Sequence, residues 1–170
     1  MAASLLLLLA LFGLIVVATV VVLAVRSVTS DPEPDASCDP FGYVGRQDLD
    51  RCAPPGETIT VDGLALTAGP LRPATDAFER ERLCAALEIT NVSDASEGVS
   101  SLGWGLQRPD GQIDGGGLGI EIDASRLAAG ASTSGRACFA PVDVGDEDLV
   151  LLFEPLGSEE RAAWVGPAQG

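Results

Sequence analysis

The chain has 170 residues and a formal net charge of -15, from 25 acidic and 10 basic residues. Every basic residue is Arg; there is no His and no Lys. Ser-His-Asp and Cys-His sites, imidazole metal ligands, Schiff-base lysines and P-loops are thereby excluded. An acidic surface of this strength also repels nucleic acid.

Residues 5–25 carry no charge and are interrupted only by Gly13 and Thr19. A helix of that length spans about 30 Å, the thickness of a bilayer's hydrocarbon core. Many of its residues are β-branched, but in lipid the backbone must satisfy its own hydrogen bonds, so helix is the expected form. The rival is a cleaved signal peptide. The apolar run exceeds the usual 7–15 residues and no positive charge precedes it. Val28-Thr29-Ser30 is a weak cleavage site, so residues 1–26 are read as a retained transmembrane anchor. Arg26, taken alone, would keep the C-terminal part in the cytoplasm. The acids Asp31, Glu33, Asp35 and Asp39 and the cysteine pattern favour the outside of the cell.

Residues 26–37 hold two prolines, three acids and small polar residues, and read as a solvated tether. Four cysteines follow: Cys38, Cys52, Cys84 and Cys138. Their spacing suits neither zinc nor a redox motif, and an even number behind an export-type N-terminus implies two disulfides with three possible connectivities. Proximity suggests Cys38 with Cys52, enclosing Phe41 and Tyr43 in a loop that packs on the domain. Residues 27–54 are therefore assigned to the tether and this loop.

Strand signals then recur with turns between them. Residues 58–61 meet 64–67 across Asp62-Gly63, a hairpin dipeptide. Residues 83–91 alternate, with Leu83, Ala85, Leu87 and Ile89 on one face and Cys84 on the other. Residues 102–107 place Leu102, Trp104 and Leu106 on one face, and Pro109-Asp110-Gly111 turns the chain. Residues 118–122 alternate again. In 136–142, Ala137 and Phe139 share the apolar face and Cys138 lies opposite. A Cys84–Cys138 bridge must then join neighbouring antiparallel strands across one sheet. Residues 149–153 are apolar on both faces, as in a central strand, and 162–165 close the series. Eight short strands without a strong amphipathic helix predict an all-β fold, an immunoglobulin-like β-sandwich over 55–166, preceded by one N-terminal transmembrane helix.

Four segments resemble a widespread bacterial immunoglobulin-like domain family of unknown function. They are Gly56-Glu57-Thr58-Ile59-Thr60-Val61-Asp62-Gly63-Leu64, Leu87-Glu88-Ile89-Thr90-Asn91-Val92-Ser93-Asp94, Asp148-Leu149-Val150-Leu151-Leu152-Phe153-Glu154-Pro155 and Arg161-Ala162-Ala163-Trp164. The family is common in exported proteins of Gram-positive bacteria, including actinobacteria, and is related in fold to a mycobacterial secreted immunogenic protein. The resemblance covers about residues 55–166 and implies a domain outside the cell with no assigned activity. Lipoprotein members carry a lipobox cysteine; this chain has none, which leaves the helix as its anchor.

Candidates for chemistry are few. Glu121 with Asp123, and Asp110 with Asp114, are carboxylate pairs of the kind used in glycoside hydrolysis, but their positions read as exposed. Asp39, Asp48 and Asp50 lack the alternation and the glutamate of a calcium loop and read as solvated acids. Asn91-Val92-Ser93 matches a glycosylation sequon and reads as a turn stabiliser. Asp114-Gly115-Gly116-Gly117 is followed by no helix and reads as a hairpin loop rather than an anion cradle. Trp104 and Trp164 suit a sugar platform only if exposed; alternation puts Trp104 in the core.

The sequence reading is therefore a single-pass membrane protein with an extracellular, non-catalytic binding or structural module at the cell envelope. No cofactor or metal is expected. The partners expected are the membrane and an unidentified protein or envelope component, with no nucleic acid. Binding is expected first at the loops 39–51 and 110–117. The alternative is an exported carboxylate-dependent hydrolase acting on envelope glycans, and a calcium-dependent adhesion domain is a third possibility.

Overall fold

The computed structural model describes residues 38–75, 79–115, 119–142 and 147–169. Among the described residues no helix is long and apolar enough to cross a membrane. The expected span at residues 5–25 and the tether at 26–37 lie outside them.

The described chain is all-β. In order it forms β1 (Asp50–Ala53), β2 (Thr58–Val61), β3 (Leu64–Ala68), β4 (Arg72–Thr75), β5 (Glu81–Asn91) and β6 (Glu97–Gly98). There follow β7 (Trp104–Gln107), β8 (Ile113–Gly115), β9 (Ile120–Ile122), β10 (Arg126–Leu127), β11 (Ser132–Phe139), β12 (Asp148–Phe153) and β13 (Arg161–Pro167). One sheet has the order β1-β13-β12-β7-β8, and the other runs β2-β3-β5-β11-β9 with β4 also paired to β5. β6 and β10 form a two-stranded ribbon.

The two main sheets pack as a sandwich because their strands alternate. Val61, Leu66, Leu87, Ile89 and Ala137 from one sheet join Trp104, Leu106, Leu149, Leu151 and Trp164 from the other in a single core. The Trp104 ring lies 4.6 Å from Phe153 and 6.0 Å from Trp164, centroid to centroid. Trp164 Nε1 donates to the Glu57 carbonyl at 2.9 Å, tying the closing strand to the turn before β2.

Turn chemistry sets register. Asp62 and Gly63 both have positive φ, at 45° and 74°, so the β2–β3 hairpin closes with the twist its strands require. A side chain at Gly63 would also meet Ser93 Cβ at 2.9 Å. Across β5 and β11 the register sets Cys138 opposite Cys84 and Ser132 opposite Thr90. The Cys84–Cys138 disulfide therefore lies on the sheet's outer face, as strand parity requires, and the Thr90 and Ser132 hydroxyls meet at 2.8 Å on that same face.

Some boundaries differ from expectation. β11 begins at Ser132 and ends at Phe139, rather than spanning 136–142; its first residues are Ser, Thr and Gly, which carry no apolar signal but pair with β5 throughout. Leu102 is not on the core face of β7. It sits in a single 3-10 turn, Ser101–Gly103, and is 71% exposed. Ser100 Oγ accepts from Leu102 N and starts that turn, which breaks the alternation that Trp104 and Leu106 keep. β1, β4, β6, β8 and β10 add strands that periodicity did not mark. β4 contains Pro73 and, among the described residues, pairs with β5 alone, a placement open to proline.

Asn91, at the end of β5, is fully buried and satisfies its whole amide. Its Nδ2 donates to the Ala95 and Leu127 carbonyls at 2.7 and 3.0 Å, and its Oδ1 accepts from Ser93 N and Oγ at 2.9 Å each. The sequon is thus a turn-and-ribbon clamp, and no glycan fits on this nitrogen in the folded domain. Asn91→Ala removes the amide bonds to the Ala95 and Leu127 carbonyls and leaves the Ser93 amide without its side-chain acceptor. It is expected to cost about 2–4 kcal/mol by urea denaturation, and Val92→Ala next to it, at an exposed side chain, less than about 0.5.

Candidate functional site

The five-stranded sheet has its second face covered in part by the loop that the first disulfide closes. Val150 and Leu152 on β12 and Ala163 and Val165 on β13 point outward, away from the main core. They form a second apolar cluster with Cys38 and Cys52, against which Phe41 and Tyr43 pack. This is why residues 149–153 are apolar on both faces: β12 is the middle strand of its sheet, and the loop supplies its second cover.

A buried charged group pins the loop. β1 runs parallel to β13 with Asp50 in register with Arg161. Asp50 Oδ1 accepts from Arg161 Nε and Oδ2 from Nη2, both at 2.7 Å, with Asp50 2% and Arg161 6% exposed. Two loop groups converge on the same Oδ2: the Tyr43 hydroxyl donates at 2.5 Å and the Gln47 amide at 2.7 Å. Arg161 Nη2 also reaches the Gly45 carbonyl at 3.2 Å. Nearby, Arg46 donates to the Cys38 carbonyl at 2.8 Å and to Asp39 at 3.2 Å.

Burial opposes ionisation of Asp50, but the Arg161 guanidinium, the Gln47 amide and the Tyr43 hydroxyl outweigh it and hold the carboxyl below its usual range. Burial, then the bond to Asp50, pushes the Tyr43 phenol up, so it stays protonated and donates. A carboxyl depressed in the folded state contributes stability that is present above its unfolded pKa, about 3.9, and is lost as pH falls through the folded value. The urea midpoint is therefore expected to owe nothing to this group's titration above about pH 5, and to fall below about pH 4. Comparing midpoints of the wild type and Asp50→Asn at pH 7, 4 and 3 checks this. An acid loss of equal size in both proteins would place the titration elsewhere.

The two loops singled out in the sequence meet at this face. Gln107 Nε2 donates to the Val44 carbonyl, and the Val44 side chain lies so close to Gly111 that a Cβ there would sit 2.7 Å from its Cγ1. Between the disulfide loop, the β7–β8 turn and the start of β12 lies an open cavity of about 610 Å³. Its wall includes Tyr43, Val44, Arg108 and Pro109, and its other side Glu147, Asp148 and Val150.

The remaining candidates fall to structural roles. Glu121 stands opposite Arg136 across β9 and β11 and pairs with it at 2.7 Å, and Asp123 is exposed beyond the strand end. Asp114 Oδ2 takes both Arg108 Nε and Nη2, at 2.8 and 2.6 Å, while Asp110 accepts from the Gln112 amide to shape its turn. Trp104 and Trp164 are 2% and 1% exposed and offer no sugar platform. Asp50 corrects the reading of the loop acids as solvated: its partner is an arginine 111 positions away, invisible to local spacing. Among the described residues no three His, Cys, Asp or Glu side chains are grouped to hold a metal. Gly116 and Gly117 of the glycine run lie outside the described residues.

No family model matches the chain, and no curated protein matches it in sequence. Among solved structures, the crystal structure of the yjhA protein from Bacillus subtilis, a structural-genomics target, is similar. It aligns with a TM-score of 0.52 over 68% of this chain and 99% of that one, at 12% identity. That likeness concerns the fold alone.

Proposed function

We propose that this chain is an immunoglobulin-like module, held at the outer side of a bacterial membrane by its N-terminal apolar segment, with a non-catalytic binding or structural role at the cell envelope. The observation that carries the reading is that all four cysteines are paired in two bridges, Cys38–Cys52 and Cys84–Cys138. Such bridges persist in oxidising compartments and not in the cytosol. The family resemblance of the four sequence segments points the same way.

The acids weigh against the hydrolase alternative. Glycoside hydrolysis needs one carboxyl with a raised pKa facing a second across the substrate. Here Asp50, Asp114 and Glu121 are each neutralised by an arginine, and Asp110 holds a turn. The module reading instead uses the outer sheet face and its loops, where rigid strands present variable surface.

Proteinase K on intact cells tests the placement, with the chain carrying a C-terminal epitope tag. The tag is expected to disappear while a cytoplasmic marker survives. A tag that persists until the cells are lysed would overturn the extracellular reading.

A further inference from the structure

The disulfide loop covers only part of the outer sheet face. On β7 and β8 the outward positions Gly105 and Gly115 stand opposite each other. Neither carries a side chain, and Ile113 lies over Gly105, where a Cβ would come within 2.9 Å of its Cγ2. Three of the five large exposed apolar side chains among the described residues rim this pair: Leu102 at 71%, Leu156 at 73% and Ile113 at 51%. Between them lies a cleft of about 320 Å³ with Leu152 and Trp104 in its wall. An apolar surface concentrated like this, on a chain with otherwise strong charge, marks an interaction site.

The surrounding charge defines the occupant. Glu154 borders both this cleft and a neighbouring one of about 470 Å³ that also holds Asp48 and Glu159. Arg161, in the apolar cleft's wall, is already committed to Asp50. With the whole chain at -15, a second copy would bring like charges together at this face.

We propose that the Leu102–Ile113–Leu156 cleft docks a basic segment of another protein, which lies across the outer sheet face. Its apolar side chains enter the cleft and its Lys or Arg side chains lie over Glu154, Asp48 and Glu159. The inference rests on the binding-module reading and gives it a partner class. Proteinase K placement and peptide binding are separate measurements, so either can fail alone.

The test is selection from a displayed library of random decapeptides against the full chain in neutral detergent. Peptides that combine Lys or Arg with Val, Ile or Leu are expected to be enriched, with binding that weakens as salt rises. Leu102→Ser/Leu156→Ser is expected to lower their retention by at least about tenfold, and Glu154→Gln/Glu159→Gln by about threefold at low salt. All four side chains lie outside the core, so unchanged thermal midpoints show that the variants fold. No enrichment, enrichment of acidic or uncharged peptides, or retention that survives Leu102→Ser/Leu156→Ser would overturn the proposal. Self-association of the full chain in sedimentation, abolished by the same leucine variant, would assign the cleft to a second copy and overturn it as well.

Discussion

Replacing Asp50 with Ala is expected to destabilise the domain by about 3–5 kcal/mol, because it strands a buried guanidinium without its counter-charge. Arg161 is 6% exposed and, among the described residues, Asp50 is the carboxylate it bonds, so without Asp50 its guanidinium stays largely desolvated and loses its counter-charge. The Tyr43 hydroxyl and the Gln47 amide lose their acceptor in the same step. The loss should appear in urea denaturation as a lowered midpoint, with the Cys38–Cys52 loop opening first. Removing both charges is a different experiment. Asp50→Leu/Arg161→Met replaces the pair with apolar side chains of similar bulk, and it is expected to recover most of the loss, since paired buried charges contribute little over a hydrophobic substitute. A double variant as unstable as the single one would mean that the hydrogen bonds to the loop, rather than the charge, carry the stability. Tyr43→Phe separates the two, with an expected cost of about 1–2 kcal/mol.

The second large effect belongs to the outer-face bridge. Cys84 and Cys138 are 54 positions apart, and closing a loop of that size restricts the unfolded chain by about 4 kcal/mol in chain-entropy terms. Cys84→Ser/Cys138→Ser is expected to lose about that much, read as the difference in denaturation free energy at pH 7. The 14-position separation of Cys38 and Cys52 is worth about 3 kcal/mol on the same reasoning. The local consequences should differ. β5 and β11 remain paired over their eight-residue register without their bridge. The disulfide loop has little secondary structure beyond β1, so without its bridge it depends on Asp50 and the apolar cluster. Amide exchange should therefore stay slow in β11 of the Cys84/Cys138 variant, while exchange of Gln47 and Asp50 should rise sharply in a Cys38/Cys52 variant.

What was legible in the sequence follows from where each signal lives. β5 alternates from Leu83 to Asn91 with nothing to interrupt it, so its faces, and hence the direction of Cys84, could be read directly. β12 announced a central position by being apolar at every residue from Leu149 to Phe153. β1 had no such signal. Its sequence, Asp-Arg-Cys-Ala, becomes a strand because the bridge and the Arg161 contact hold it against β13, a parallel partner more than a hundred positions away. Leu102 misled because one serine hydroxyl capping a 3-10 turn is enough to rotate it out of the alternation.

The site divides in the same way. The two loops chosen for their composition do meet, through Val44, Gln107 and Gly111, yet nothing local says that they would. Asp50 looked like one of several loop acids, and only the register of β1 on β13 distinguishes it from Asp39 and Asp48. The apolar cleft was hidden for a related reason. Gly105 and Gly115 are unremarkable in sequence, and stand opposite each other only when β7 and β8 pair.

The proposed export of this disulfide-bonded sandwich is tested most directly by the state of its cysteines in the cell. Cells expressing the full chain are quenched with acid, alkylated under denaturing conditions, and the protein is digested and analysed by mass spectrometry without reduction. The account predicts no alkylated cysteine and two linked peptide pairs, one joining Cys38 to Cys52 and the other Cys84 to Cys138. Four alkylated thiols would contradict it.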